Sequence, residues 1–114
     1  MNTGKAVSAL AALAHESRLS VYRLLVEAGP EGLPAGVIAG KLKLPPSSLT
    51  FHLQNLQRAG LITQQRVSRQ LIYAADFRTM NALVDFLTEN CCRGSKSCST
   101  SQPRSAAPRL KKAS

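Results

Sequence analysis

PPSSLTFHLQNLQRAGLI, residues 45–62, carries a helix start, a helix face and a helix stop in one short run. The two prolines oppose helix before Pro46 and suit its first turn, where the missing N–H costs nothing. Leu49, Leu53 and Leu56 then recur at helical spacing, which puts them on one stripe. Gly60 tolerates positive φ and ends the segment. A helix is expected from Pro46 to just before Gly60, held by a narrow apolar stripe. Ser47, Ser48, Thr50, His52, Gln54 and Gln57 are assigned to its outer face.

Toward the N-terminus, Pro34 suits the start of a shorter helix from Ala35 to about Leu42, with Val37, Ile38 and Leu42 available for burial. KLPPSS then breaks the chain, so two short helices meet through a tight connection over about residues 34–59. Earlier still, Leu19, Tyr22, Leu25 and Val26 share a stripe until AGPEG stops it. His15 to Ser17 form a joint, and KAVSALAALA, residues 5–14, places Val7, Leu10, Ala11 and Ala14 on one small-residue face.

On the other side, LITQQRVSRQLIYAA changes to a β pattern around Val67 to Gln70, a hairpin whose turn contains no glycine. Asp76 is placed to cap a final helix through Asn90, in which Phe77, Met80, Leu83, Val84 and Leu87 recur at three- and four-residue spacings. The expected fold is mainly α with a small β-hairpin, a winged helix-turn-helix. Residues 1–90 form that domain, residues 91–98 a thiol segment, and residues 99–114 a basic tail expected to be disordered.

A chain of 114 residues supports one small core. Its formal charge of +9 comes from 15 Lys plus Arg against 6 Asp plus Glu, and favours a polyanionic partner such as nucleic acid over a membrane surface. Much of the excess sits late, because residues 91–114 hold six bases and no acid. No apolar run approaches the roughly 20 residues of a membrane span. The start superficially resembles a signal peptide, but its weakly apolar run leads directly into HESR, and a cytoplasmic protein is expected. Cys91, Cys92 and Cys98 are the three cysteines. An odd count with two adjacent does not make a disulfide framework, and in a reducing compartment points to metal or redox chemistry.

A DNA-reading helix needs one apolar face to hold it on its domain and an opposite face of small or hydrogen-bonding residues that reach base edges and phosphates. The segment from Pro46 offers both. The bland alternative is that Ser47 and Ser48 only cap the helix and His52 is a solvated surface residue.

Three stretches in order, LAHESRLSVYRLL, SSLTFHLQNLQRAGLI and QRVSRQLIY, resemble the second helix, recognition helix and wing of the ArsR/SmtB family of metal-responsive repressors. The resemblance covers about residues 5–90. It implies a homodimer built through the first and last helices that represses transcription by covering a pseudo-palindromic, double-stranded operator. The alternative, that both apolar stripes only line the monomer core, stands beside it. By matching position, Ser47, Ser48, Thr50 and His52 would face the operator, with Gln54 on the same face. Arg66 and Arg69 of the wing would approach the backbone or minor groove, and Arg58 would assist electrostatically. Ser68 departs from the family, occupying a place where glycine is common.

Family sensor sites differ in position. The stretch before the recognition helix, GVIAGKLKL, contains no cysteine, and the segment from Asp76 to Asn90 contains no histidine, so neither of two known site types can be assembled. Cys91, Cys92 and Cys98 remain. Three soft thiolates with no nearby fourth donor fit As(III), or Sb(III), in a three-coordinate pyramid, whereas zinc would want a fourth ligand. The intervening RGSKS includes Gly94, so Cys98 can return to the pair at modest closure cost. Arg93 and Lys96 favour thiolate, and a helix C-terminus opposes it. A C-terminal CC-x5-C cluster also resembles an atypical arsenic-repressor branch of the family. Redox sensing, Cd(II) or Pb(II) sensing and incidental tail thiols are the alternatives. A small thiol oxidoreductase is disfavoured by the lack of CxxC, of a cysteine–histidine neighbourhood and of a phosphate-binding glycine loop, and no enzymatic activity is expected.

Overall fold

A computed structural model describes residues 1–94, with Arg93 and Gly94 described in their backbone alone. The elements run α1 (Thr3–Leu13), α2 (Glu16–Ala28), β1 (Leu33–Pro34), α3 (Ala35–Leu42), α4 (Pro46–Arg58), β2 (Ile62–Val67), β3 (Gln70–Ala75) and α5 (Phe77–Thr88). A 3-10 turn, Cys91–Gly94, follows. The chain is a winged helix-turn-helix, as its patterning implied.

The core gathers Val21, Tyr22 and Leu25 of α2, Ile38 of α3, Leu49, Leu53 and Leu56 of α4, and Leu61, Ile62 and Tyr73 of the hairpin. The stripe on α2 differs from expectation at one position, since Val21 is fully buried and Leu19 is exposed. Val21 and Leu25, four residues apart, line the side of α2 that meets both α4 and β3, and Leu19 falls outside it. On α3, Ile38 is buried and Val37 exposed. On α1 the buried residues are Ala6 and Ala9, so α1 lies close to the domain while Val7 and Leu10 face away.

Helix ends explain the connections. The α3 helix stops at Lys43, which takes the left-handed conformation (φ 56°), and the Leu44 N–H closes back on the Ala39 carbonyl at 3.0 Å. At the end of α4, Gly60 (φ 80°) is followed by a Leu61 N–H bond to the Leu56 carbonyl at 3.0 Å, the six-to-one closure of a Schellman motif. Asp76 caps α5, its carboxylate accepting from the Arg78 and Thr79 N–H groups. That last helix ends at Thr88, before the expected Asn90, which takes positive φ (59°).

The short strand β1 was not anticipated. It pairs antiparallel with β3, Leu33 opposite Tyr73 and Pro34 opposite Ile72, giving a sheet of order β1-β3-β2. Two residues are too few for alternation to register, and proline is tolerated because β1 is an edge. Gly32 makes the approach possible. It has φ 70°, and a Cβ there would overlap the Tyr73 carbonyl oxygen. Gly60 is also left-handed, yet a Cβ on it would meet open space. Gly60→Ala is therefore expected to cost about 1–2 kcal/mol in urea unfolding, the usual left-handed penalty. Gly32→Ala should cost more, because the β1–β3 backbones must also separate. Equal losses would show that the strand contact contributes nothing.

Candidate nucleic-acid interface

Burial along α4 separates two faces. Leu49, His52, Leu53 and Leu56 are buried, while Pro46, Ser47, Thr50, Phe51, Gln54, Gln57 and Arg58 are exposed. Ser48 and Asn55 lie between them. Ser47, Thr50, Gln54 and Gln57 thus share a solvent face, as their spacing indicated. In the free protein some of this hydrogen-bonding capacity turns inward. The Thr50 hydroxyl donates to the Pro46 carbonyl at 3.0 Å, and the Asn55 amide to the Phe51 carbonyl at 3.0 Å.

His52 is a correction. It was assigned to the outer face, but the residue is only 8% exposed and its ring packs on His15 with centroids 4.9 Å apart. The position was legible: residue 52 lies three after Leu49 and four before Leu56, within the apolar stripe. Polarity of the side chain concealed it. His15 is itself fixed, since its Nδ1 accepts the Ser17 N–H at 3.1 Å and caps α2. The His52 Nδ1 is buried with no hydrogen-bond partner in the protein. Burial, then the nearby His15 and Arg18, hold its pKa below the ordinary 6.5, so the ring is neutral near pH 7. His52 therefore supports α4 from within the core. Phe51, assigned to neither face from sequence, stands on the outer one at 60% exposure.

The wing is the β2–β3 hairpin, in which Val67 pairs with Gln70 across a two-residue turn, Ser68–Arg69. Ser68 has φ 57°, so it occupies the left-handed conformation for which glycine is the usual choice in such turns. Arg66 and Arg69 are exposed, and Gln64 is braced by its amide donating to the Tyr73 hydroxyl at 2.8 Å. Arg58 lies at the C-terminal end of the same α4 face.

Beyond α5, the Cys91 and Cys92 sulfurs lie 3.5 Å apart, Cys91 half-buried and Cys92 exposed. Cys98 and the basic tail lie outside the described residues, and so does the expected three-thiol site as a whole. Among the described residues no group of three His, Cys, Asp or Glu side chains is arranged to hold a metal ion.

A helix-turn-helix domain family matches residues 13–65, the span from the end of α1 to the first half of the wing. The helix-turn-helix transcriptional regulator YbzH of Bacillus subtilis is 34% identical over 88 residues, covering 67% of this chain and 88% of that protein. An ArsR-like transcriptional regulator from Rhodococcus sp. RHA1 superposes with a TM-score of 0.65 at 28% identity, covering 74% of this chain and 76% of the other. The chain belongs to the ArsR/SmtB family of winged-helix transcriptional regulators. Within that family, the transcriptional activator HlyU of Vibrio cholerae is 28% identical over 95 residues, covering 83% of this chain and 85% of that protein. The HlyU structure superposes with a TM-score of 0.64, covering 81% of this chain and 97% of the other, and HlyU has also been solved in reduced form. Among the described residues, no helix of this ArsR/SmtB member is long and apolar enough to cross a membrane.

The buried histidine gives a signed pH test. Below about pH 6.5 the unfolded chain takes up a proton at His52 that the folded ring resists, so stability falls as pH drops, until the lowered folded-state pKa is reached. Urea midpoints measured between about pH 7.5 and about pH 5.5 should decline more steeply for the wild type than for His52→Gln. Parallel declines would contradict the burial of a neutral His52.

Proposed function

We propose that this ArsR-family regulator is an As(III)-responsive repressor that binds operator DNA as a dimer and dissociates when Cys91, Cys92 and Cys98 coordinate trivalent arsenic, with Sb(III) acceptable to the same ligands. The observation carrying it is the adjacency of the Cys91 and Cys92 sulfurs directly after α5. Soft thiolates at short range suit thiophilic ions, and Cys98 would complete a three-coordinate set.

DNA binding is supported by the exposed face of α4, with Ser47, Thr50 and Gln54 for base edges and phosphates, and by the exposed Arg66 and Arg69 of the wing. Ser48, half-buried, lies at the margin of that face. Dimerisation is supported by apolar residues that the monomer leaves uncovered. Val7 is 58% exposed and Leu87 57%, with Leu10 and Val84 also exposed, and they lie on α1 and α5. A second copy would cover both helices through one self-complementary interface. The thiols then sit at the end of a dimer helix, where ligation biases how the two copies are held. A coupling of about 1–3 kcal/mol is typical of such switches, and the same coupling must weaken arsenic binding when operator is present.

A second reading, redox sensing, is favoured by the short distance between the Cys91 and Cys92 sulfurs and by the existence of HlyU in a reduced form. Both readings start from reduced thiols, and they differ in what releases the DNA, metalloid ligation or thiol oxidation.

With reduced protein, Cys91→Ser, Cys92→Ser and Cys98→Ser should each keep operator affinity while losing release by arsenite, measured by fluorescence anisotropy. Undiminished release in all three variants would discard the site. The double change Thr50→Ala, Gln54→Ala should weaken operator binding tenfold or more, about 1.4 kcal/mol, while the dimer persists. Wild-type affinity in that variant would move the DNA interface off α4.

A further inference from the structure

We propose that Phe51 reads the C5-methyl group of a thymine in the operator's major groove. The inference rests on α4 being the DNA-reading helix, and adds a sequence preference that the polar residues of that face do not specify.

Phe51 has no role in holding the fold. It is 60% exposed, more than any other large apolar side chain among the described residues, and the helix is anchored on its opposite side by Leu49, Leu53 and Leu56. Its one aromatic neighbour among the described residues is His52, ring centroids 6.2 Å apart, edge to face. Its helical neighbours on the outer face are Ser47, four residues before, and Gln54, three after. The other exposed large apolar side chains among the described residues, Leu19, Val37 and Val67 included, lie outside α4, so Phe51 is the one such side chain on that helix.

The side chains around it sharpen the assignment. Thr50 and Asn55 both spend a donor on carbonyls of their own helix, those of Pro46 and of Phe51 itself. Beside those two, an apolar ring is presented outward with no hydrogen bond to hold it to its own helix. On the major-groove edge of a base pair the thymine C5-methyl is the one apolar substituent, cytosine carrying only a hydrogen at that carbon and the remaining groups being donors or acceptors. A phenylalanine carried into that groove has one base substituent whose contact removes apolar surface from water on both sides. Opposite a donor or acceptor it would leave that group without its water. Phe51 thus favours thymine at one position of each half-site, because cytosine offers it no methyl and a donor or acceptor placed opposite loses its water.

The test begins with the full-length, reduced wild-type protein selecting duplexes from a random library, so that no operator need be known. Each thymine of the selected duplex is then replaced by deoxyuridine, which removes only the methyl group, and affinity is measured by anisotropy for wild type and Phe51→Ala. One thymine per half-site should be sensitive in the wild type, losing about fourfold on demethylation, the effect of one buried methyl. Phe51→Ala should bind the unmodified duplex more weakly and lose that sensitivity, with unchanged thermal midpoint and dimerisation, because the side chain is exposed. If demethylation affects both proteins equally, or neither, the methyl contact is overturned, while loss of binding in the Thr50/Gln54 double variant would keep α4 as the reading helix. A wild type that selects no duplex overturns both. A dissociated Phe51→Ala dimer would place the ring at a protein interface and likewise overturn the proposal.

Discussion

The seating of α4 in the core is the constraint on which the rest of the structure depends. Leu49, Leu53 and Leu56 are essentially removed from water, and they lock the rotation of the helix about its own axis. A single buried leucine of this kind contributes roughly 1.5–3 kcal/mol, so the stripe far outweighs the preferences of the exposed positions. Once it is seated, Ser47, Thr50, Phe51, Gln54 and Gln57 have no choice but to face outward. His52 is carried inward by the same rotation, although its buried Nδ1 then lacks a partner, a cost the leucines outweigh.

From α4 the constraint passes along the chain in short steps. Gly60 turns the backbone, Leu61 bonds back to Leu56 and is itself fully buried, and its carbonyl accepts the Asp76 N–H at 2.8 Å. That bond ties the base of the wing together. Asp76 then caps α5, so the orientation of the last helix follows from the end of α4 through one hairpin. The thiols begin two residues after Glu89, the cap at the far end of α5. A ligand that repositions this end acts on an element linked to α4 by consecutive hydrogen bonds and packing, which is the physical content of the proposed coupling.

Much of this was legible in the residues. The leucine stripe, Pro46, Gly60 and Asp76 each act locally, and each sits where its chemistry requires. Misplacements came where tertiary context decides. Leu19 and Val21 both fit an apolar stripe, and only packing of α2 against α4 and β3 selects Val21. The strand β1 owes its existence to Gly32 fitting beneath Tyr73, a contact between residues far apart in sequence. His52 was misassigned and Phe51 left unassigned, for opposite reasons. A polar type suggested exposure and an apolar type concealed it, whereas spacing from Leu49 and Leu56 had already assigned both. The thiol segment was legible as chemistry rather than as geometry: the sequence names three soft ligands, and the structure describes the first two side by side.

The central claim is that metalloid ligation by the thiols, rather than their oxidation, releases α4 from DNA. It is tested most directly by adding arsenite, and separately peroxide, to the complex of fully reduced protein with its selected operator while following anisotropy. Arsenite should release the DNA, with the transition complete at one arsenic per set of three thiols, and peroxide should act poorly by comparison. Release by peroxide with an operator complex indifferent to arsenite would contradict the account.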